Sequence, residues 1–140
     1  MNLLLDTNVL SEVTKPRPEG RVLLWLDGLD EDRCFISVVS LAEIRRGVAL
    51  MDDGRKRDAL AEWLAHDLPQ RFEHRVFAVD ERVALAWGDL MGEAKRRGRG
   101  MSSMDGLIAA TAMAYDLVLA TRNVKDFEGF GMDLIDPWAA

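Results

Sequence analysis

Thiol and imidazole are scarce in this chain, which holds one cysteine, Cys34, and two histidines, His66 and His74. A single thiol forms no intramolecular disulfide and suits a reducing compartment, so a cytoplasmic protein is expected. The three residues are scattered without ligand spacing, so zinc is not expected, and both histidines are read as lying on helix or loop surfaces. Long apolar runs are also missing. The opening MNLLLDTN turns polar too soon for a secretory signal, nothing approaches the length of a membrane span, and no membrane partner is expected. Positive charge is not in excess: 18 Lys and Arg against 24 Asp and Glu leave −6, which counts against gripping nucleic acid through overall charge. No repeat, low-complexity tract or linker breaks the chain. Its 140 residues, 49% of them hydrophobic, suffice for one globular domain, 1–140, with a substantial core.

The distribution of charge says more than the sum. Basic residues bunch at Arg45–Arg46, at Arg55 to Arg57 and at Lys95 to Arg99, and acids gathered around a metal would be neutralised by it. The negative total is therefore a weak argument against RNA.

Read for period, strands and helices alternate. NLLL, CFIS (34–37), RVFAV (75–79), LVLAT (117–121) and MDLID (132–136) are five β-rich runs. Between them lie amphipathic stretches at about 20–29, 38–51, 55–68, 81–97 and 103–115. That alternation predicts an α/β fold, a parallel sheet with helices on both faces. Functional groups in such sheets collect beyond the carboxyl ends of the strands, and Asp6 stands at one of those ends, straight after an apolar run.

Other polar residues compete to join it. Glu43 borders the Leu41, Ile44, Val48 stripe of its helix, with Ser40 and Gly47 leaving a small, open face beside it; a solvated helix glutamate explains it equally. Asp105 lies in the first turn of SMDGLIAATAMA, where Ser102 or Ser103 can cap and the helix dipole favours an acid. Capping alone would explain it. Gly106, Ala109, Ala110 and Ala112 nevertheless make this helix slim enough to approach the sheet and turn Asp105 toward Asp6. In LVLATRNVKDF a buried strand ends at Thr121 and Arg122, Asn123 and Asp126 follow, repeating the hydroxyl, amide and acid of Asp6, Thr7 and Asn8; turn building is the plain alternative.

Taken in order, LLDTNVLSE, SLAEIRRGV, MDGLIAATA and ATRNVKDF span almost the whole chain and resemble the PIN-domain ribonucleases. Within them the likeness is to the VapC-type toxins of type II toxin–antitoxin pairs, and LLDTNVLSEVTKPRPEGRVLLWLD with the terminal DPW is similar to the FitB-like branch. The resemblance implies a three-layer α/β/α sandwich around a mostly parallel five-stranded sheet. It implies catalytic acids at Asp6, Glu43 and Asp105, which would also hold the metal. The fourth catalytic acid is assigned to Asp126, because this chain carries Asn123 where many relatives carry Asp.

Clustered carboxylates repel one another until a cation joins them, and all-oxygen ligands select a hard ion, so Mg²⁺ or Mn²⁺ is the expected cofactor. Thr7, Asn8, Ser40, Thr121 and Asn123 are the supporting polar groups. Arg122, Lys95, Arg96, Arg97 and Arg99 are the candidate RNA contacts, although a cationic helix end accounts for the last four equally. The resemblance further implies RNA hydrolysis, with tRNA the favoured substrate, and a VapB-type antitoxin seated in a hydrophobic groove of the early helices. It also implies a homodimer, assembly into a larger toxin–antitoxin complex, and contact with operator DNA only through the antitoxin. Two rival functions are disfavoured. A haloacid dehalogenase-like phosphatase needs an acid where Asn8 stands, and a receiver domain needs an acidic pair and a late Lys that are not here. A degenerate PIN-like binding module is the alternative that the displaced fourth acid leaves open, and Asp6, Glu43 and Asp105 argue against it.

Overall fold

The structure, a computed structural model, describes residues Met1–Ala140 throughout. It is organised by β1 (Leu3–Leu5), whose three leucines are all buried. Side chains alternate across a strand: Leu3 and Leu5 enter one apolar cluster, and Leu4 enters another on the opposite face. A strand covered on both faces is the middle layer of a sandwich.

Around it lie β2 (Cys34–Ser37), β3 (Val76–Phe77), β4 (Val118–Ala120) and β5 (Leu134–Ile135), in the order β3-β2-β1-β4-β5. Every neighbouring pair is parallel, with Leu4 opposite Phe35 on one side and Leu119 on the other. The expected sandwich is present, its sheet wholly rather than mostly parallel. The first face carries α1 (Thr7–Glu12), α2 (Gly20–Asp27) and α5 (Leu68–Arg71), through residues such as Val9, Leu10, Trp25 and Leu68, and α4 (Arg55–Glu62) lies outside them without a buried residue. The second carries α6 (Glu81–Arg96), α7 (Ser103–Ala114) and α8 (Val124–Phe127), through Leu90, Ile108 and Phe127. Directly after β2 comes α3 (Val38–Leu50), which gives Ile44 to one cluster and Val39 to the other. Chain order reverses at β1, so a crevice opens beyond the carboxyl ends of β1 and β4.

Three features depart from the sequence expectation. Helices α1 and α8 are additional, and α1 begins directly after β1 because the Asp6 carboxylate accepts the Thr7 N–H as its N-cap. The helix expected over 55–68 is broken: a π-turn spans Trp63–Asp67, where Leu68 N–H reaches back to the Trp63 carbonyl. Pro69 supplies the cause, since it has no N–H for the carbonyl four residues earlier and its ring crowds that turn. Third, the slimness of α7 serves two neighbours. Ala109 and Ala112 face the sheet-side cluster as expected, but Gly106 lies against α6, where a Cβ would meet Met91 Sδ at 2.6 Å and Trp87 Nε1 at 3.0 Å.

Trp87 is held in place by its own bond to the Ser103 carbonyl at 3.2 Å, so the indole yields poorly. Gly106→Val is expected to destabilise the protein by about 2–3 kcal/mol through overpacking. Urea unfolding checks this: a midpoint equal to wild type would show that α6 and α7 tolerate a branched side chain between them.

Candidate active site

Asp6 follows the last residue of β1 and is only 4% exposed. Its N–H donates to the Ala120 carbonyl at 2.9 Å, continuing the ladder to β4 and fixing where the side chain begins. Oδ1 accepts from Thr7 N–H at 2.7 Å. Oδ2 accepts from the Thr121 hydroxyl at 2.8 Å and from Asn8 Nδ2 at 3.3 Å. Thr121, fully buried at the end of β4, also receives the Asn123 N–H at 3.1 Å. Two strand ends are thus tied through one carboxylate.

A second network begins one residue on. The Thr7 hydroxyl donates to Glu43 Oε1 at 2.6 Å and lies 2.8 Å from Ser40 Oγ. Thr7 has one hydroxyl proton, and a carboxylate only accepts, so Ser40 is the donor to Thr7. Glu43 is therefore anchored across α1 and α3 rather than free in solvent. The N-cap of α3, Ser37, accepts Val39 N–H at 3.0 Å and sets the start of that helix. Beside Glu43 opens a groove of about 400 Å³ lined by Thr7, Gly47, Lys56 and Trp63 among others.

Asp105 stands in the first turn of α7, and the cap there is Ser102, whose hydroxyl accepts Asp105 N–H at 3.1 Å. The Asp105 carboxylate is not the cap. Its charge acts on Asp6. The Asp6 carboxyl is raised to about 6: burial pushes it up most, the bonds from Thr121 and Thr7 pull against that, and the charges of Asp105 and then Glu43 add to the rise. No three acidic, His or Cys side chains converge tightly enough to ligate one ion between them. The arrangement is a buried carboxylate with two others near it.

The remaining residues divide. Asn8 joins the site, bridging Asp6 and Thr121 and accepting Arg122 N–H on Oδ1 at 3.2 Å. Asn123 meets it only through its backbone. Asp126 is exposed on α8, and its carbonyl is held by Arg99 Nη2 at 3.2 Å. The carboxylates acting most strongly on Asp6 are those of Asp105 and Glu43, not that of Asp126. Arg97 and Arg99 depart from the RNA-contact expectation. Arg97 donates to the Gly129 carbonyl at 2.7 Å, Arg99 to the carbonyls of Lys125, Asp126 and Glu128, and both lie over Phe130. They staple α6 to the α8 turn. Lys95 and Arg96 are exposed in the last turn of α6, where cations also favour the dipole. His66 and His74 are exposed, and Cys34 is buried.

Sequence reasoning missed the Ser40–Thr7–Glu43 relay because α1 was not foreseen; Asp-Thr-Asn at the end of an apolar run is the N-cap signal that reveals it. It also missed Glu12, a buried acid in the last turn of α1. Its carboxyl is held below the usual range first by Lys15, 2.8 Å away, and then by Glu19 N–H.

A model of the PIN-domain family matches residues 3–130. The chain is 38% identical over 136 residues to the toxin FitB of Neisseria gonorrhoeae, covering 97% of this chain and 98% of that one. It is 37% identical over 136 residues to the VapC ribonuclease Y4jK of Sinorhizobium fredii, covering 97% of each. The crystal structure of FitAcB from Neisseria gonorrhoeae is similar at a TM-score of 0.92 and 38% identity, over 99% of both chains.

Without divalent cations the raised Asp6 carboxyl has a definite sign. Folded protein holds this proton to higher pH than unfolded protein, so between pH 4 and pH 6 stability falls as pH rises, by up to about 3 kcal/mol at neutrality. Asp6→Asn removes this loss. In chelator, its stability relative to wild type is expected to be higher at pH 7 than at pH 4, by about 1–3 kcal/mol; equal differences from denaturant titrations at both pH values would refute the raised pKa.

Proposed function

The chain belongs to the PIN-domain family, and from that premise we propose that it is the endoribonuclease toxin of a toxin–antitoxin pair, cutting RNA phosphodiester bonds with a divalent metal. One observation carries the reading: the Asp6 carboxylate is buried, bound by three fixed donors, two from the start of α1 and one from Thr121 beyond β4, and raised by two neighbouring acids. A carboxylate kept near neutrality at such cost is a place for a cation.

The donor set fits a hydrated hard ion. Asp6, Glu43 and Asp105 offer only oxygen, and because they do not close on one point, waters would complete the sphere, as Mg²⁺ or Mn²⁺ prefers. When bound, the ion supplies an acidified water and charge stabilisation at phosphorus. The protein's share is positional. Thr121, Asn8 and Thr7 N–H fix the Asp6 oxygens, while Ser40 through Thr7 fixes Glu43. Asp105 sits on a capped helix start packed tightly on α6. Asp126 contributes to the rim through the α8 turn.

The favoured substrate is a tRNA, cleavage of which would stop translation until an antitoxin binds. For that partner a groove of about 590 Å³ lies between α1, α2 and α5, lined by Leu5, Val9, Leu26, Trp63 and Phe72 among others. It suits an apolar segment of a VapB-type antitoxin, which would also carry any contact with operator DNA; a homodimer completes the proposed assembly. No helix is long and apolar enough to cross a membrane.

Purified protein freed of any partner, incubated with cellular RNA, is expected to cut in Mg²⁺ or Mn²⁺ and not in chelator. Asp6→Asn and Asp105→Asn should each slow cutting by about 100-fold or more, the scale of one lost preorganised electrostatic group. Folded wild type that cuts nothing and takes up no metal by calorimetry would make the binding-module alternative the better reading.

A further inference from the structure

Five arginines lie over aromatic rings. Four of them also bind backbone carbonyls: Arg75 those of Glu31, Cys34 and Arg71, Arg82 that of Ala114, and Arg97 and Arg99 those of the α8 turn. These are structural staples. Arg122 is the exception. Its guanidinium lies 5.2 Å from the centre of the Trp138 ring, is exposed, and has no hydrogen-bond acceptor or salt-bridge partner. Glu12, a buried acid on which the Arg122 charge acts, is already satisfied by Lys15 and Glu19 N–H.

The ring beneath it is firmly placed. Trp138 packs against the apolar cluster under β1, its backbone N–H donates to Asp136 Oδ1 at 2.9 Å, and its backbone carbonyl receives Arg21 Nη1 at 3.0 Å. Arg122 itself follows Thr121, which binds Asp6, and its N–H is held by Asn8, which also binds Asp6. The free fork is therefore anchored at its backbone to the catalytic carboxylate and layered at its head on a fixed indole. A planar guanidinium with unused N–H donors matches the oxygens of a phosphodiester, and holding its plane in advance lowers the entropy lost on binding.

We propose that Arg122, held flat by Trp138, grips the RNA backbone phosphate next to the scissile one, with Trp138 as its positioning residue. This rests on the ribonuclease reading above. It also separates the basic residues by role: Arg97 and Arg99 shape the rim, and Arg122 meets the strand.

The test is the affinity of a short, labelled, single-stranded RNA of mixed sequence, measured by anisotropy in Mg²⁺ across a salt series, with Asp105→Asn as the parent so that cutting is slow against the measurement. Arg122→Ala is expected to weaken binding about tenfold or more, the scale of a charge-assisted hydrogen bond. It should also make the salt slope shallower by about 0.7, as for one phosphate released from a single strand. Arg122→Lys should keep the slope and lose affinity. Trp138→Ala should weaken binding only while Arg122 is present, and Trp138→Phe, which keeps a ring, should hold affinity within about twofold. An Arg122→Ala variant with unchanged affinity and slope overturns the proposal, and so does a Trp138→Ala loss that persists undiminished in Arg122→Ala. If Trp138→Ala fails to fold, Trp138→Phe and the two Arg122 variants decide. The two readings fail separately. Protein that binds RNA through Arg122 yet cuts none contradicts the ribonuclease reading alone; wild type that cuts, with affinity and KM untouched by Arg122→Ala, contradicts the grip alone.

Discussion

A carboxylate buried at the end of the central strand is the constraint around which the rest of this molecule is arranged. Taking Asp6 out of water raises its pKa to about 6, and the fold tolerates this because both of its oxygens are occupied: Thr7 N–H on one, Thr121 and Asn8 on the other. The same bonds that satisfy the acid also build the structure. One starts α1, and another clamps β4 beside β1. Asp105 and Glu43 then add charge of the same sign, so the polypeptide by itself leaves a repulsion that a cation would relieve. Burial and repulsion at this carboxylate therefore work against the stability of the unliganded fold.

The surrounding basic residues are divided by what their donors already hold. Arg97 and Arg99, close in sequence to the Asp105 helix, are consumed by carbonyls of the α8 turn and lie over Phe130, with Gly129 at a φ of 84° allowing Arg97 to approach. Half of a cluster that reads as an RNA patch in one dimension is a brace in three, Lys95 and Arg96 staying exposed. Arg122, a single cation, keeps its donors free on the rim of the site. Charge counts alone could not distinguish these cases, because the distinction lies in which carbonyls the backbone leaves unpaired nearby.

Most of the architecture was legible because it follows from burial. Leu3 to Leu5 announce a strand covered on both faces, and CFIS coincides with β2. Asp6, Asp105 and Glu43 could be nominated from their places at a strand end, a helix start and the edge of an apolar stripe. What stayed hidden depends on tertiary contact. The α1 helix is six residues long and too short for periodicity to reveal; the Thr7–Glu43 bond crosses 36 positions in sequence. The break before Pro69 has its signal in the proline, which a continuous apolar period over 55–68 masks. The close seat of Gly106 on Trp87 and Met91 required knowing that α6 and α7 pack together.

The most direct measurement is a carbon-13 NMR titration of the Asp6 carboxyl, with and without Mg²⁺. This account places its midpoint near 6 in chelator and requires Mg²⁺ to draw it down into or below the ordinary carboxylate range. A midpoint near 3.8, the unperturbed value, that Mg²⁺ does not move would contradict it: Asp6 would then be a helix cap and nothing more.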